Sequence, residues 1–178
     1  MVKPVMIIIP AAFLGLLVLA AGAGLLWLNA NEFRPEDRET VGLPWVRGPA
    51  PVRGQSIELY SWNIGYASLD SSQDFFMDGG RGVRPATDRN VEENVWAIQA
   101  FLASAAADIV FLQEVDSASK RSYGFNQAMY FSETWQGSSV YALNYKCPFV
   151  PAPFPQFIGK VESGIMILNS YGSGPAER

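Results

Sequence analysis

Apolar residues dominate the start of the chain in one unbroken run. Residues 5–28 read VMIIIPAAFLGLLVLAAGAGLLWL, which is 24 residues without a charge. A helix needs about 20 apolar residues to cross the hydrocarbon core of a bilayer, so this run is long enough to span a membrane. Trp27 stands at the far end, where indole rings favour the interface. The pattern predicts one transmembrane helix through residues 5–28.

Two other interpretations of this run stay open. Ala21-Gly22-Ala23 resembles the small-residue site at which a secretory signal is cleaved, although apolar residues continue to Leu28. A buried core helix is also possible, but the run is not amphipathic. A short N-terminal tail, one anchor and a globular body favour a single-pass membrane protein whose body is extracytoplasmic. Lys3 on one side and Arg34 and Arg38 on the other leave the charge rule for orientation ambiguous.

Proline residues mark a linker after the apolar run. Residues 31–55 contain Pro35, Pro44, Pro49 and Pro51 among several charges, a composition typical of irregular structure. We therefore expect an anchor or signal segment at 1–30, a Pro-rich linker at 31–55 and a globular body at 56–178.

The body opens with the pattern of an α/β unit. Residues 56–66 are rich in β-branched and aromatic residues and predict a strand. A loop rich in Asp, Ser and Gly follows at 66–85. Apolar residues at helical spacing then predict a helix over 87–107, and the short run at 109–112 predicts a strand buried on both faces. The order of strand, loop, helix and strand is typical of α/β folds.

Further strands are predicted at 140–145 and 164–169. The segment between them contains Pro148, Pro151, Pro153 and Pro155, which we expect to prevent regular structure. The residues after Ser170 are expected to form a frayed tail.

Composition excludes several classes of site. The chain has 178 residues, 49% of them hydrophobic and 17% charged, with no His and one Cys. A Ser-His-Asp or Cys-His catalytic unit therefore cannot be assembled from it, and Cys147 has no partner for an intramolecular disulfide. The net charge of −4 does not fit a basic nucleic-acid-binding surface.

Two polar residues stand where the best predicted strands end. Asn63 closes the first strand, and Glu114 follows the second. In open α/β sheets, ligands bind beyond the carboxyl ends of the strands. A carboxylate without His or Cys nearby suits a hard cation such as Mg²⁺, which takes one or two carboxylates and keeps water or phosphate as its other ligands. Polar strand ends that merely meet solvent are the plainer explanation.

The two segments around these residues resemble a known superfamily. Tyr60–Gly65 (YSWNIG) and Ala107–Asp116 (ADIVFLQEVD) are similar, in this order and with one helix between them, to the first two motifs of the endonuclease/exonuclease/phosphatase superfamily. That group includes deoxyribonuclease I, abasic-site endonucleases, inositol-polyphosphate phosphatases and neutral sphingomyelinases. The likeness covers about residues 56–169, and the segments at 75–80 and 120–123 resemble a bacterial, membrane-tethered branch.

The resemblance implies a fold and a site. The fold would be α/β (α+β), part of a four-layer α/β/β/α sandwich preceded by the transmembrane helix. Glu114 would be the ligand of Mg²⁺ (or Mn²⁺), and Asn63 would lie beside the metal and the scissile phosphate. Arg121 would contact the phosphate of a phosphate-ester substrate, although a solvated surface side chain is the plainer explanation for this residue. The activity implied is metal-assisted hydrolysis of a phosphodiester or phosphomonoester.

The sequence also departs from the family. The Gly-Asp-x-Asn and Ser-Asp-His motifs that complete the family's site do not occur, and the acid–base His is absent from the chain. We therefore expect a truncated and inactive copy that lacks the C-terminal half of the domain and exposes a sheet face meant for it. Asp78 is expected to be a turn former, and Tyr123 and Tyr145 are expected to be packing residues.

A non-catalytic interpretation stands beside this one. The chain would then be a membrane-anchored binding module that keeps half of the fold. The absent acid–base residue and the aromatic, Pro-rich segment at 149–157 favour it.

Overall fold

A computed structural model describes residues 5–41 and 48–178, and it divides the chain into two compact units, residues 1–32 and 33–178. The described part has a mixed α+β fold with three α-helices and two sheets. Pro44 of the predicted linker lies outside the described residues.

The first unit is one apolar helix, α1, Val5–Ala30. Its stretch Ile8–Ala30 has 23 residues, a mean hydropathy of 2.3 and no buried residue. Apolar side chains occur around the whole circumference, unlike a surface helix that presents one apolar stripe to a core. By length and composition this helix could cross a membrane.

The second unit is built on a four-stranded sheet. Its strands are β2 Leu59–Asn63, β3 Ile109–Asp116, β4 Ser138–Val150 and β5 Gly159–Asn169. The other two helices are α2 Asp88–Ala105 and α3 Gln127–Thr134. The strand order is β2-β3-β5-β4, in which β2 pairs with β3 in parallel and the other two pairings are antiparallel. Helix α2 connects the two parallel strands, as a parallel pairing requires.

Helix α2 has a strong start signal and one apolar face. Thr87 and Asn90 form a reciprocal capping box at its N-terminus, which satisfies backbone donors that the helix cannot use. The predicted apolar face is buried, and α3 adds Phe131 to the same core. The buried residues of this face are Val91, Val95, Ile98 and Leu102, and the sheet contributes Val110, Leu112, Met166 and Leu168.

The opposite face of the sheet carries exposed apolar side chains. Leu59, Phe111, Ile165 and Ile167 are each between 37% and 58% exposed. Both long helices of the unit therefore cover one face of the sheet, and in the described residues no second large sheet lies on the other.

Several predicted elements have different bounds. The first strand is shorter than 56–66, whereas the strand predicted at 109–112 continues to Asp116. The strands predicted at 140–145 and 164–169 lie inside the longer β4 and β5. The sequence pattern did not indicate α3, which has only eight residues.

Two expectations about irregular segments are wrong in part, although Pro151, Pro153 and Pro155 do lie in the irregular segment between β4 and β5. Pro148 lies inside β4, because β4 is an edge strand and its pairing with β5 shifts between Cys147 and Val150, so no ladder donor is lost there. The tail is not frayed throughout: Ala176–Glu177 forms β6, which pairs with β1, Thr40–Val41, from the predicted linker. The Arg178 guanidinium also pairs with Glu39 at 2.8 Å.

Candidate functional site

The carboxyl ends of β2 and β3 meet at one edge of the sheet, and the two predicted site residues meet there. Asn63 is the register partner of Gln113. The Asn63 side-chain amide donates a hydrogen bond to Oε1 of Glu114 at 2.9 Å. The structure therefore brings the residues of the two motifs together, although 51 positions separate them.

A β-bulge places Glu114 at this edge. Leu112 pairs with Met166 and Val115 with Gly164, so that Gln113 and Glu114 both lie opposite the single residue between those partners. If side chains alternated regularly after Leu112, Glu114 would face the core and Val115 would face away from it. The extra residue reverses this, so that Val115 faces the core and is fully buried. Glu114 has a φ of +56°, a left-handed conformation that is uncommon for a residue with a side chain.

Asn63 is oriented by the turn that follows it. Its Oδ1 accepts a hydrogen bond from the backbone N–H of Gly65 at 2.9 Å, so the NH₂ group is left to face Glu114. Gly65, Tyr66 and Ala67 all have positive φ. Non-glycine residues in this region cost about 1–3 kcal/mol each and tend to cluster at functional sites.

Arg121 is held by a buried carboxylate. Asp116, at the end of β3, is fully buried and binds the guanidinium in a bidentate manner, with Oδ1 at 2.9 Å from Nη2 and Oδ2 at 3.1 Å from Nε. The Ser122 hydroxyl donates a further hydrogen bond to Oδ2 at 2.9 Å. Nη1 of Arg121 has no hydrogen-bond partner in the described residues.

The Arg121 guanidinium also lies on an aromatic ring. Its central carbon is 3.7 Å from the centroid of the Tyr66 ring, a cation–π contact that is stronger when the pair is shielded from water. Tyr66 is only 2% exposed. Burial raises the pKa of the Tyr66 phenol, nearby carboxylates including Glu114 raise it further, and Arg121 partly opposes the shift. The phenol therefore stays protonated at neutral pH.

Gln127, the first residue of α3, ties the two strand ends together. Its Nε2 donates to the Tyr66 carbonyl at 2.7 Å, and its Oε1 accepts from the Asp116 backbone N–H at 3.1 Å. Gln127 is fully buried. Because both the nitrogen and the oxygen of this amide are hydrogen-bonded, α3 positions two parts of the site through Gln127. They are the Tyr66 ring beneath Arg121 and the end of the strand that carries Asp116.

Asn63, Glu114 and Arg121 line one cavity of about 390 Å³. The structure therefore places all three predicted site residues around the same space. Its other polar lining residues are Gln113, Asn144, Tyr145 and Ser163. A second cavity, of about 530 Å³, also touches Asn63 and Glu114 and extends towards α2 and Asp70. Hydrogen bonds from Ser72 and Asn94 lower the pKa of Asp70, so this second cavity carries an ionised carboxylate.

Several residues of the site carry no signal in the sequence pattern. Asn144, Tyr145 and Ser163 lie in β4 and β5, and only the pairing of Tyr145 with Ser163 brings them to the cavity. Tyr145 was expected to be a packing residue, yet it is exposed and lines the cavity. Asp116 could have been suspected, since an acidic residue that follows a core-facing residue such as Val115 at the end of a strand needs a partner if it is buried.

The side-chain donors at this edge of the sheet could hold a hard cation, but they would supply few of its ligands. The described residues contain no group of three His, Cys, Asp or Glu side chains placed to hold a metal. Glu114 offers one carboxylate, whose Oε2 accepts no hydrogen bond within the described part of the chain. Mg²⁺ tolerates such a site because it retains several waters. The residues present are therefore compatible with Mg²⁺ or Mn²⁺ and with no metal that prefers thiolate or imidazole.

The chain matches no protein-family model, no curated protein and no solved structure. The resemblance carried by the two motifs therefore stays a prediction.

The buried Asp116–Arg121 pair gives a stability test. Replacing Arg121 with Met leaves the Asp116 carboxylate buried without its cation, so the free energy of unfolding should fall by about 3–5 kcal/mol. Adding Asp116→Asn should recover a large part of this loss, because it removes the buried charge. Urea unfolding of the full chain in detergent, followed by near-UV circular dichroism, measures both changes.

The control is the exposed ion pair of Arg89 and Glu93 on α2. Arg89→Met should leave the stability almost unchanged, since exposed ion pairs contribute little. Equal losses for Arg121→Met and Arg89→Met would show that Asp116 does not depend on Arg121.

Proposed function

We propose that residues 33–178 carry the metal- and phosphate-binding part of a metal-dependent phosphoesterase of the endonuclease/exonuclease/phosphatase type. The observation that carries the proposal is the convergence of Asn63, Glu114 and Arg121 on one cavity, with a 2.9 Å hydrogen bond between the first two. The substrate would be a phosphodiester or a phosphomonoester.

Glu114 would hold Mg²⁺ or Mn²⁺ through its carboxylate. Bound there, the cation would polarise a phosphoryl oxygen and stabilise the leaving oxygen. The bulge supports this role, because it fixes the carboxylate at the mouth of the cavity rather than in the core.

Arg121 and Asn63 would bind the phosphate itself. Asp116 occupies Nε and Nη2 of Arg121, which leaves Nη1 as a donor of fixed direction. A guanidinium held in this way loses little side-chain entropy when it binds a phosphate oxygen. The Asn63 amide, fixed by Gly65, could donate its second N–H to another oxygen.

The proposal includes a second layer on the open face of the sheet. Leu59, Phe111, Ile165 and Ile167 would pack against it. In the family, that half supplies the Gly-Asp-x-Asn and Ser-Asp-His motifs, including the acid–base His that these 178 residues lack. The 178-residue chain alone should therefore bind the cation and phosphate without turning over a substrate.

A non-catalytic module is the second candidate, and the absence of His favours it. A module that keeps the fold only for binding a partner has no need of a cation at Glu114. Metal binding therefore separates the two candidates.

We also propose that α1 anchors the protein as a single-pass membrane helix with the globular unit outside the cytoplasm. Its uncharged 23-residue stretch supports the anchor. Intact-mass measurement of protein extracted from membranes with detergent should give the full chain, and alkaline carbonate should not release it. A released protein whose mass corresponds to a chain that begins after Ala23 would instead identify a cleaved signal.

The metal site predicts a thermal shift. Mg²⁺ at ten times its dissociation constant should add about 1.4 kcal/mol to the stability. For a unit of this size, that corresponds to a rise in melting temperature of roughly 3–5 °C. Glu114→Gln should abolish the rise, because the amide removes the charge with little change in shape. Differential scanning fluorimetry of the full chain in detergent measures the shift.

Glu133→Gln, on the exposed side of α3, is the matched control and should keep the full shift. A shift that survives Glu114→Gln would place the cation elsewhere, and no shift in the unaltered chain would favour the binding module. Phosphodiester turnover that Glu114→Ala abolishes would overturn the expectation of inactivity while supporting the metal site.

A further inference from the structure

The hairpin of β4 and β5 extends beyond the rest of the sheet. β3 pairs with β5 only as far as Ser163, whereas β4 and β5 continue to pair to Val150 and Gly159. The arm starts at the cavity, since Tyr145 and Ser163 are cross-strand partners and both line it. Its tip lies about four residue pairs further out, or roughly 13 Å along the strands.

The tip of this arm presents aromatic side chains to solvent. Phe154 is 85% exposed, and its ring lies 6.0 Å from that of Phe157, which in turn lies 5.5 Å from Phe149. An Ile158 N–H to Ala152 carbonyl hydrogen bond of 3.0 Å closes the loop below them. An ordered backbone therefore holds Phe154 outward.

A second loop lies beside this tip and carries an exposed methionine. Met77 is 74% exposed and belongs to a loop that is closed by backbone hydrogen bonds from Phe76 to Gly82 and from Gly82 to Asp74. Phe76 and Arg81 from this loop share a groove of about 380 Å³ with Phe154. We call Met77, Phe149, Phe154 and Phe157 the apolar rim.

Charge distinguishes the rim from the rest of the protein. Residues 74–85 and 146–162 together contain four basic side chains and three acidic ones, a small positive balance in a chain whose net charge is −4, and Lys146 and Lys160 both pair with Glu162. The basic side chains are Arg81, Arg84, Lys146 and Lys160. Arg81 lines the groove beside Phe154, and exposed aromatic and Met side chains next to a basic residue favour a surface that enters the interface of an anionic bilayer.

The tether keeps such a bilayer within reach. Nine residues separate the end of α1 at Ala30 from Thr40, the first strand residue of the globular unit. Even fully extended, this segment spans at most about 36 Å. If α1 is in a membrane, as proposed above, the globular unit stays close to that membrane.

We propose that the apolar rim docks on the surface of an anionic lipid bilayer. Phe154 and Met77 enter the headgroup region, and Arg81 beside Phe154 faces lipid phosphates. Burial of large apolar side chains is favourable, so a few such residues are enough to hold an already tethered unit in contact with the membrane.

A fluorophore on the rim tests this in the full chain. In a Cys147→Ser background, Phe154→Cys and Met77→Cys are labelled separately with an environment-sensitive dye, and the protein is inserted into vesicles of phosphatidylcholine and phosphatidylglycerol. Nitroxide-labelled lipids should quench both labels several-fold more than a label at Ala100→Cys. Ala100 is exposed on α2 and is the matched control. Aqueous iodide should quench the control label most.

Equal iodide quenching at all three positions, with no nitroxide quenching at the rim, would overturn the proposal. Shielding that grows with the protein-to-lipid ratio, without nitroxide quenching, would also overturn it and would identify a second copy of the chain as the occupant. Vesicles of phosphatidylcholine alone should reduce the nitroxide quenching at both rim positions. The quenching measurement needs neither Mg²⁺ nor turnover, so it tests the rim even if Glu114 binds no metal. Failure of the anchor is recognised separately, because the chain would then be released with a reduced mass.

Discussion

The two-for-one bulge at Gln113 and Glu114 is the constraint on which the candidate site depends. It keeps the alternation of β3 in phase with the core on both sides of the bulge and leaves one carboxylate at the end of the sheet. Without it, Glu114 and Val115 would exchange environments, which would bury a charge and expose an apolar side chain. The left-handed backbone of Glu114 is the local cost of this arrangement, and the hydrogen bond with Asn63 sets the direction of the carboxylate.

A second acidic residue, Asp116, stabilises the end of β3 next to Glu114. Asp116 is buried two positions after Glu114, and its charge is balanced by Arg121, whose guanidinium rests on Tyr66. Gln127 fixes the backbone on both sides of that contact. The guanidinium of Arg121 is therefore held at the wall of the cavity by buried residues, unlike that of a flexible side chain on the surface. The same residues that satisfy a buried carboxylate therefore also hold the guanidinium to which the proposal assigns phosphate binding.

The sequence indicated the parts of the fold whose signals are local. The apolar face of α2 and the short apolar run of β3 are periodic or positional patterns, and the structure contains both of them. Elements that depend on distant partners were not predictable in this way. β6 exists only because Thr40 and Val41 pair with it, and Pro148 fits in β4 only because that strand lies at an edge. Likewise, the meeting of Asn63 and Glu114 followed from adjacent parallel strands, whereas Tyr145 reaches the cavity through a register that no pattern in β4 encodes.

The most direct test of the account is anomalous diffraction from crystals of the full chain grown with Mn²⁺. A peak within ligand distance of a Glu114 carboxylate oxygen, absent in Glu114→Gln crystals, is the predicted result. A well-ordered Glu114 that still accepts its hydrogen bond from Asn63 but has no peak beside it at saturating Mn²⁺ would contradict the metal site and the phosphoesterase proposal with it.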